Sequence, residues 1–96
     1  MKVLHLTLEK KWFDMIASGD KKEEYREIKP YWDTRLLNRN YDVVSFRNGY
    51  GKKSPIMTVQ LTGIWMGYGR EDLGAPILKR VYILTLGRVL ELNYQG

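Results

Sequence analysis

A helical pattern ends and a strand pattern begins within the stretch Ser18-Gly19-Asp20-Lys21-Lys22-Glu23-Glu24-Tyr25-Arg26-Glu27-Ile28. Before this stretch, apolar residues recur at the three- to four-residue spacing of a helix, and within it side chains alternate between two faces as in a strand. Gly19 suits the left-handed backbone position that often follows a helix end. We therefore predict a helix over residues 9–18, a tight turn, and a strand that ends near residues 29–30.

Two charged side chains of this strand share a face. Alternation places Glu24 and Arg26 on the same side as Ile28, and if that side faces inward both ions lie in a partly buried place. Because desolvating an ion costs several kcal/mol even after relaxation, a buried carboxylate and guanidinium need close partners. The sequence therefore predicts a partly buried ion pair just after the turn.

The rest of the chain divides into short strands and one more helix. Leu4, Leu6 and Leu8 should point into the core from a first strand. The buried stripe of the first helix should be Trp12, Phe13 and Ile16. We predict strands over 2–8, 43–47, 56–66 and 80–91, a second helix from Pro30 to about Asn38, and bends at Gly63 and Gly87. This order indicates an α+β chain whose sheet curls into a small barrel.

Composition limits the kinds of protein this chain can be. Its 96 residues predict a single domain over residues 1–96, and 44% hydrophobic residues are ordinary for a globular chain. A formal net charge of +5 is consistent with a nucleic acid or another anionic partner. No apolar run approaches the roughly 20 residues of a membrane helix, and the N-terminus lacks a signal-peptide core. We therefore expect a cytoplasmic protein with no membrane partner.

Cysteine and histidine usage limits the chemistry. The chain has no cysteine, which excludes disulfides, thiolate metal sites and a cysteine nucleophile. Its one histidine, His5, lies on a strand with no identifiable acidic partner, so a structural role is favoured over catalysis. We expect no metal and no cofactor.

A second group of candidate ligand-binding residues follows the strand over 43–47. Asn48-Gly49 is a strong turn signal, and the surrounding loop is basic and aromatic. The loop is either a plain hairpin connection with solubilising lysines or a site where glycine-freed N–H groups approach a phosphate. Its candidate binding residues are Arg47, Asn48, Tyr50 and Lys52.

One motif in the chain matches a known family. Gly19, Lys21, Glu24 and Arg26 fit the pattern G-x-K-x-x-E-x-R. With the first strand, the Trp12-Phe13 helix and the block over 43–51, the chain resembles a small bacterial ASCH domain, a branch of the PUA-like β-barrel superfamily. The resemblance covers essentially the whole chain and implies a PUA-like barrel with a cleft beside the motif.

The resemblance implies binding of RNA or a modified nucleoside. Lys21 would contact a phosphate or sugar, and Arg26 would offer a planar fork to a phosphate or base edge. Glu24 would orient either cation or accept from an exocyclic amine. Candidate stacking residues are Tyr25, Tyr50, Trp32 and Trp65, although each is more commonly a core residue.

The resemblance also implies two enzymatic alternatives. Some small bacterial ASCH proteins hydrolyse the amide of N4-acetylcytidine with a lysine, a threonine and a later glutamate. Lys21 matches that lysine, whereas Glu24 occupies the threonine position, and Glu71 is the candidate for the later acid. Lys21 could then activate water with Glu24 as base. Ribonuclease activity is the other enzymatic alternative, and a purely structural ion pair is the third reading of the motif.

Overall fold

Over residues 1–93, the protein is an α+β protein with two α-helices and a five-stranded sheet. The computed structural model describes residues 1–93. Its elements are β1 (Val3–Leu8), α1 (Lys10–Ser18), β2 (Glu23–Glu27), α2 (Pro30–Leu36), β3 (Val43–Asn48), β4 (Ile56–Gly67), a short 3-10 helix (Glu71–Leu73) and β5 (Val81–Asn93). Each predicted strand and helix is present, so the α+β prediction is confirmed.

The five strands form a single sheet that curls into a half-barrel. Their order is β1-β3-β4-β5-β2, with β1 and β3 parallel and all other neighbours antiparallel. The long β4–β5 pair changes register between Leu61 and Gly63, and again where β5 passes Gly87. Extra residues of this kind increase local bending and twist, so both predicted bends are confirmed and account for the curl of the sheet.

The concave side of the sheet holds the core. The leucines of β1 are buried as predicted, and α1 buries Phe13 and Ile16 against the sheet while Trp12 is half-buried. Other side chains with almost no exposed surface come from the central strands: Val44, Phe46, Met57, Val59, Tyr82 and Leu84. Helix α1 thus covers the half-barrel and brings its C-terminal turn, with the motif, to the sheet.

The two edges of the half-barrel meet through one arginine. Strands β1 and β2 are the outer strands and do not pair with each other. Arg26 Nη2, on β2, donates a hydrogen bond to the carbonyl oxygen of Thr7, on β1, at 3.1 Å. The motif therefore lies at the gap between the two edges, and Arg26 supplies a hydrogen bond across that gap.

Helix α2 and strand β2 end earlier than the sequence predicts. The predicted end of α2 near Asn38 is wrong: the helix ends at Leu36, Leu37 is extended and Asn38 has φ 55. Asparagine tolerates this left-handed conformation, and Tyr41 Oη donates to the Arg35 carbonyl oxygen at 2.6 Å, which satisfies a helix-end acceptor. β2 ends at Glu27, two residues before the predicted position.

Two kinds of feature are absent from residues 1–93. The longer of the two α-helices has nine residues, and neither has the length or apolarity needed to cross a membrane. In the same range, no three His, Cys, Asp or Glu side chains are arranged to hold a metal ion.

A tyrosine on β5 links the sheet to α2, and its ionisation makes the fold less stable at alkaline pH. Tyr82 Oη donates to Asp33 Oδ1 at 2.5 Å. That hydrogen bond is the main cause, with burial second, of a rise in the pKa of Tyr82 to about 12. The pKa of Tyr25 is also raised to about 12, mainly by burial. Unfolded tyrosine has a pKa of about 10. The folded state therefore holds these protons more tightly, so the stabilisation is complete below about pH 10 and is lost as pH rises towards 12.

We expect Tyr82→Phe to lower the free energy of unfolding by about 1.5–3 kcal/mol at pH 7, because a hydrogen bond to a carboxylate is lost. Between pH 10 and 12 the variant should lose less stability than the wild type, since one of the two tyrosines with a raised pKa is gone. Urea unfolding at pH 7, 9, 10 and 11.5 measures both effects. Tyr68→Phe, at an exposed position, is the control. Parallel stability–pH curves for Tyr82→Phe and the wild type would contradict the prediction.

Candidate functional site

The structure brings Lys21, Glu24 and Arg26 together around one carboxylate. Glu24 Oε1 lies 3.5 Å from Lys21 Nζ, and Glu24 Oε2 accepts from Arg26 Nη2 at 2.6 Å and from Nε at 3.1 Å. Lys21 is 2% exposed and Glu24 is 6% exposed. The predicted ion pair between Glu24 and Arg26 is therefore present, and Lys21 joins it as a third charged group.

The turn at Gly19 directs Lys21 inward. Gly19 has φ 90, in the left-handed region, and its N–H donates to the Ile16 carbonyl oxygen at 3.1 Å. The chain then folds back so that the Lys21 N–H donates to the Met15 carbonyl oxygen at 3.0 Å. A residue with a side chain would be strained at this φ, so glycine is what allows the lysine to enter the protein so soon after the helix.

The Lys21 ammonium is enclosed by aromatic rings and polar oxygens. Its Nζ lies 4.9 Å from the centroid of Trp12 and 4.6 Å from that of Tyr25, and it donates to the carbonyl oxygen of Leu73. Burial lowers the pKa of Lys21, and the neighbouring Glu24 carboxylate opposes that shift. Lysines whose pKa is lowered in this way are common at catalytic centres, although structural ion pairs have them too.

Arg26 has one part held by the protein and one part free. Its Nε and Nη2 bind Glu24 and the Thr7 carbonyl, and no residue within 1–93 accepts a hydrogen bond from its Nη1. The guanidinium carbon lies 5.0 Å from the centroid of the Trp32 ring, within cation–π range. The arginine is thus fixed in orientation and retains donors for a ligand.

Arg26 lines a cavity of about 450 Å³, which we call the Arg26 cleft. One wall comes from β2 and α2, and the other from the loop between β4 and β5. The lining residues are Tyr25, Arg26, Glu27, Trp32, Gly74, Ala75, Pro76, Lys79 and Val81. The cleft therefore combines a planar cation, an indole ring and a lysine.

The loop wall is tied to the motif by two hydrogen bonds. Lys21 holds the carbonyl of Leu73, and the N–H of Arg70 donates to Tyr25 Oη at 3.2 Å. Tyr25 Oη in turn donates to Glu23 Oε1 at 2.7 Å. Lys21 therefore shapes the cleft through the loop rather than by lining the cleft itself.

The predicted binding loop after β3 lies elsewhere. In the described part of the chain, none of Arg47, Asn48, Tyr50 and Lys52 lines the Arg26 cleft. Arg47 lines a separate cavity of about 360 Å³ with His5, and Tyr50 is 88% exposed. The binding role predicted for these four residues stays a prediction. Glu71, the candidate late acid, is exposed in the 3-10 helix and is not a lining residue.

The aromatic candidates divide into buried and exposed groups. Tyr25 is buried and Trp32 is half-buried, in line with the expectation that they belong to the core. That expectation is wrong for Tyr50 and for Trp65, which is 59% exposed. Trp65 packs beside Gly63 on the outer face of the bent β4 strand, and a bend of this kind removes neighbours that would bury the ring.

The sequence analysis missed Lys79 and the Gly74-Ala75-Pro76 segment. Both lie in a loop with no motif, and the signal that locates them is the contact of that loop with Lys21 and Tyr25. Chemically, the cleft can hold a planar, negatively charged ligand between an arginine and an indole.

No family model, no curated protein and no solved structure matches this chain.

Proposed function

We propose that this chain is an ASCH-type, PUA-like domain that binds RNA or a nucleotide in the Arg26 cleft. The observation that carries the proposal is an arginine oriented by two partners, with no acceptor for its Nη1 among residues 1–93, in a cavity beside Trp32. Single-stranded RNA is recognised mainly by charge and by stacking on aromatic or guanidinium planes. The half-barrel sheet and the position of the motif at its gap are compatible with such a domain.

Each residue of the cleft has a distinct role in this proposal. Arg26 contacts a phosphate or a base edge through Nη1, and Trp32 offers its ring to a base. Lys79 adds a second cation, partly balanced by Glu27 at 3.9 Å. Glu24 orients Arg26, and Lys21 acts by holding the loop wall rather than by touching the phosphate.

We expect Arg26→Lys to weaken binding of a fluorescently labelled oligoribonucleotide by about tenfold or more, or about 1.4 kcal/mol. Lysine keeps the charge beside Glu24 and so protects the fold, but it lacks the planar fork. Fluorescence anisotropy at 50 mM salt measures the dissociation constant, with circular dichroism to verify folding.

Arg88→Ala is the matched control, since Arg88 is an exposed arginine on β5 that does not line the cleft. It should bind within about twofold of the wild type, because a single rim charge contributes little. Wild-type protein that binds no oligoribonucleotide at low salt, or Arg26→Lys protein that binds as tightly as the wild type, would overturn the proposal.

A second candidate is an amidohydrolase acting on N4-acetylcytidine-type nucleosides. The observation that favours it is the buried Lys21 with a lowered pKa, 3.5 Å from the Glu24 carboxylate. In this reaction water adds to the acetyl carbon and the C–N4 bond breaks, with Lys21 and Glu24 moving the protons. Glu24 replaces the threonine of the amidohydrolases that the sequence resembles, and the loop over Lys21 must open to admit substrate.

Incubation with N4-acetylcytidine separates the two candidates. An amidohydrolase releases cytidine and acetate, and Lys21→Ala abolishes the release. No release by the wild type removes this candidate and leaves nucleotide binding in place. Analysis of an oligoribonucleotide from the same incubation shows whether the chain is instead cleaved, as a ribonuclease requires.

A further inference from the structure

A second groove lies at the C-terminal end of α2. It has a volume of about 520 Å³ and we call it the Trp65 groove. Its lining includes the exposed apolar side chains Leu37, Trp65 and Met66. The complete lining is Leu36, Leu37, Asn38, Arg39, Asn40, Ile64, Trp65, Met66 and Tyr82.

The Trp65 ring is exposed but held in place. Its Nε1 donates to Thr85 Oγ1 at 3.1 Å, so its polar atom is satisfied. The ring also occupies the space that a side chain at position 63 would take: a Cβ on Gly63 would lie 2.7–2.9 Å from three ring atoms. An exposed indole that is already held in place loses little conformational entropy on binding. It is therefore an effective surface for stacking a base.

Two cations and two aromatic rings contact one another in a row that leads from the cleft along α2. It begins with Arg26 against Trp32 in the cleft. The Trp32 ring meets the Tyr31 ring edge-on, with centroids 4.8 Å apart. The Arg35 guanidinium carbon then lies 3.6 Å from the Tyr31 centroid, and Arg35 Nη1 is fixed by the Tyr31 carbonyl at 2.8 Å. Four planar groups are thus in contact one after another, with the two rings nearly perpendicular at 83°.

The two cavities are lined by residues one turn apart on the same face of α2. Trp32 lines the Arg26 cleft and Leu36 lines the Trp65 groove, and four residues of helix correspond to about 6 Å of rise. Arg39 is the only charged residue that lines the groove, and no acidic residue within 1–93 lines it. Asp33, the one acidic residue of α2, accepts the Tyr82 hydroxyl. Glu27, which lines the cleft, lies 3.9 Å from Lys79, so the cations that line the two cavities outnumber the carboxylates and favour a polyanion.

We propose that a single-stranded oligonucleotide runs from the Arg26 cleft along α2 into the Trp65 groove, where a base stacks on Trp65. This inference rests on the proposed nucleic-acid function and deepens it, since it names a strand of several nucleotides rather than a free nucleoside as the ligand. Arg35 contacts a phosphate between the two cavities, and Arg39 contacts one in the groove. Binding strength then depends on strand length and falls steeply with salt.

The test compares a labelled octaribonucleotide with the corresponding 5′-mononucleotide. We expect Trp65→Ala to weaken octaribonucleotide binding by about tenfold, in the range found for loss of one base–aromatic stack. Mononucleotide binding should stay unchanged, and Trp65→Phe should restore part of the octaribonucleotide affinity. Anisotropy and isothermal titration calorimetry give the two dissociation constants, and a thermal melt verifies that each variant folds.

Matched variants make the result specific. Tyr68→Ala removes another exposed aromatic ring and should leave both affinities unchanged. Arg26→Lys should weaken both ligands, because both use the cleft. Arg39→Gln should weaken the octaribonucleotide only, and should reduce the slope of its affinity against salt.

Three results would overturn the inference. Equal octaribonucleotide affinity for Trp65→Ala and wild type would leave binding in the Arg26 cleft intact but rule out the path into the Trp65 groove. Loss of self-association in Trp65→Ala, measured by sedimentation without a change in RNA affinity, would assign the groove to a second copy of the chain. Failure of the wild type to bind either ligand would instead rule out the proposed function, and with it the path from the Arg26 cleft into the Trp65 groove.

Discussion

Glu24→Ala is expected to lower the free energy of unfolding by about 3–5 kcal/mol, the usual cost of removing one partner from a buried ion pair. Glu24 lies between Lys21 at 3.5 Å and Arg26 at 2.6 Å, and all three side chains are largely shielded from water. Without the carboxylate, two cations remain close together with no counter-charge. For a chain of this size such a loss is a large fraction of total stability. Urea unfolding followed by circular dichroism measures it.

Two further variants test the physical reason for this loss. Glu27→Ala removes an exposed carboxylate of the same strand, whose nearest cation lies 3.9 Å away, and should cost no more than about 0.5 kcal/mol. Lys21→Met combined with Glu24→Gln should cost less than the sum of the two single changes by about 1–3 kcal/mol, since the pair is removed together. A Glu24→Ala cost as small as that of Glu27→Ala would show that the buried charges are not coupled.

Gly69→Ala is expected to lower the free energy of unfolding by about 1–3 kcal/mol through overpacking. A Cβ at Gly69 would lie 2.5 Å from Tyr25 Cε1 and 2.7 Å from the Cβ of Ala75. Tyr25 cannot move aside easily, because its hydroxyl is bonded to Glu23 and to the N–H of Arg70. The loop must shift instead, which displaces the wall of the Arg26 cleft and should weaken oligoribonucleotide binding as well.

Gly67→Ala is the matched control for Gly69→Ala, two residues earlier in the chain. A Cβ at Gly67 would meet only Ile83 Cδ1, at an ordinary contact distance of 3.6 Å. We expect a change within about 0.5 kcal/mol, the usual range for a substitution without a special mechanism. Thermal melts and urea unfolding of both variants give the comparison. Equal effects of the two substitutions would refute the steric explanation, since only one of them meets a ring.

Local sequence carried the information for most of the fold. Alternation in β1 and the helical stripe of α1 both identify faces that are buried in the structure. Gly19 marks the helix end, and the bends at Gly63 and Gly87 follow from residues that lack a side chain. Each of these patterns depends on neighbours within a few residues, so it can be read without the tertiary structure.

Long-range contacts determined the candidate site. The sequence places Glu24 and Arg26 on one face, but it contains no sign that Lys21 is enclosed by Leu73, a residue 52 positions away. That contact fixes the loop carrying Lys79, and hence the second wall of the cleft. The position of the loop after β3, apart from the cleft, is likewise decided by the curl of the sheet.

By itself, then, the amino-acid sequence determined the strands, the helices and the shared face of the two charges after the Gly19 turn, because these depend on periodicity and on backbone preferences of nearby residues. Only the tertiary structure decided that Lys21 is buried, that Trp65 is exposed and that a loop completes the Arg26 cleft. The physical reason is that burial of a side chain depends on which distant segment packs over it, and short-range patterns carry little of that information.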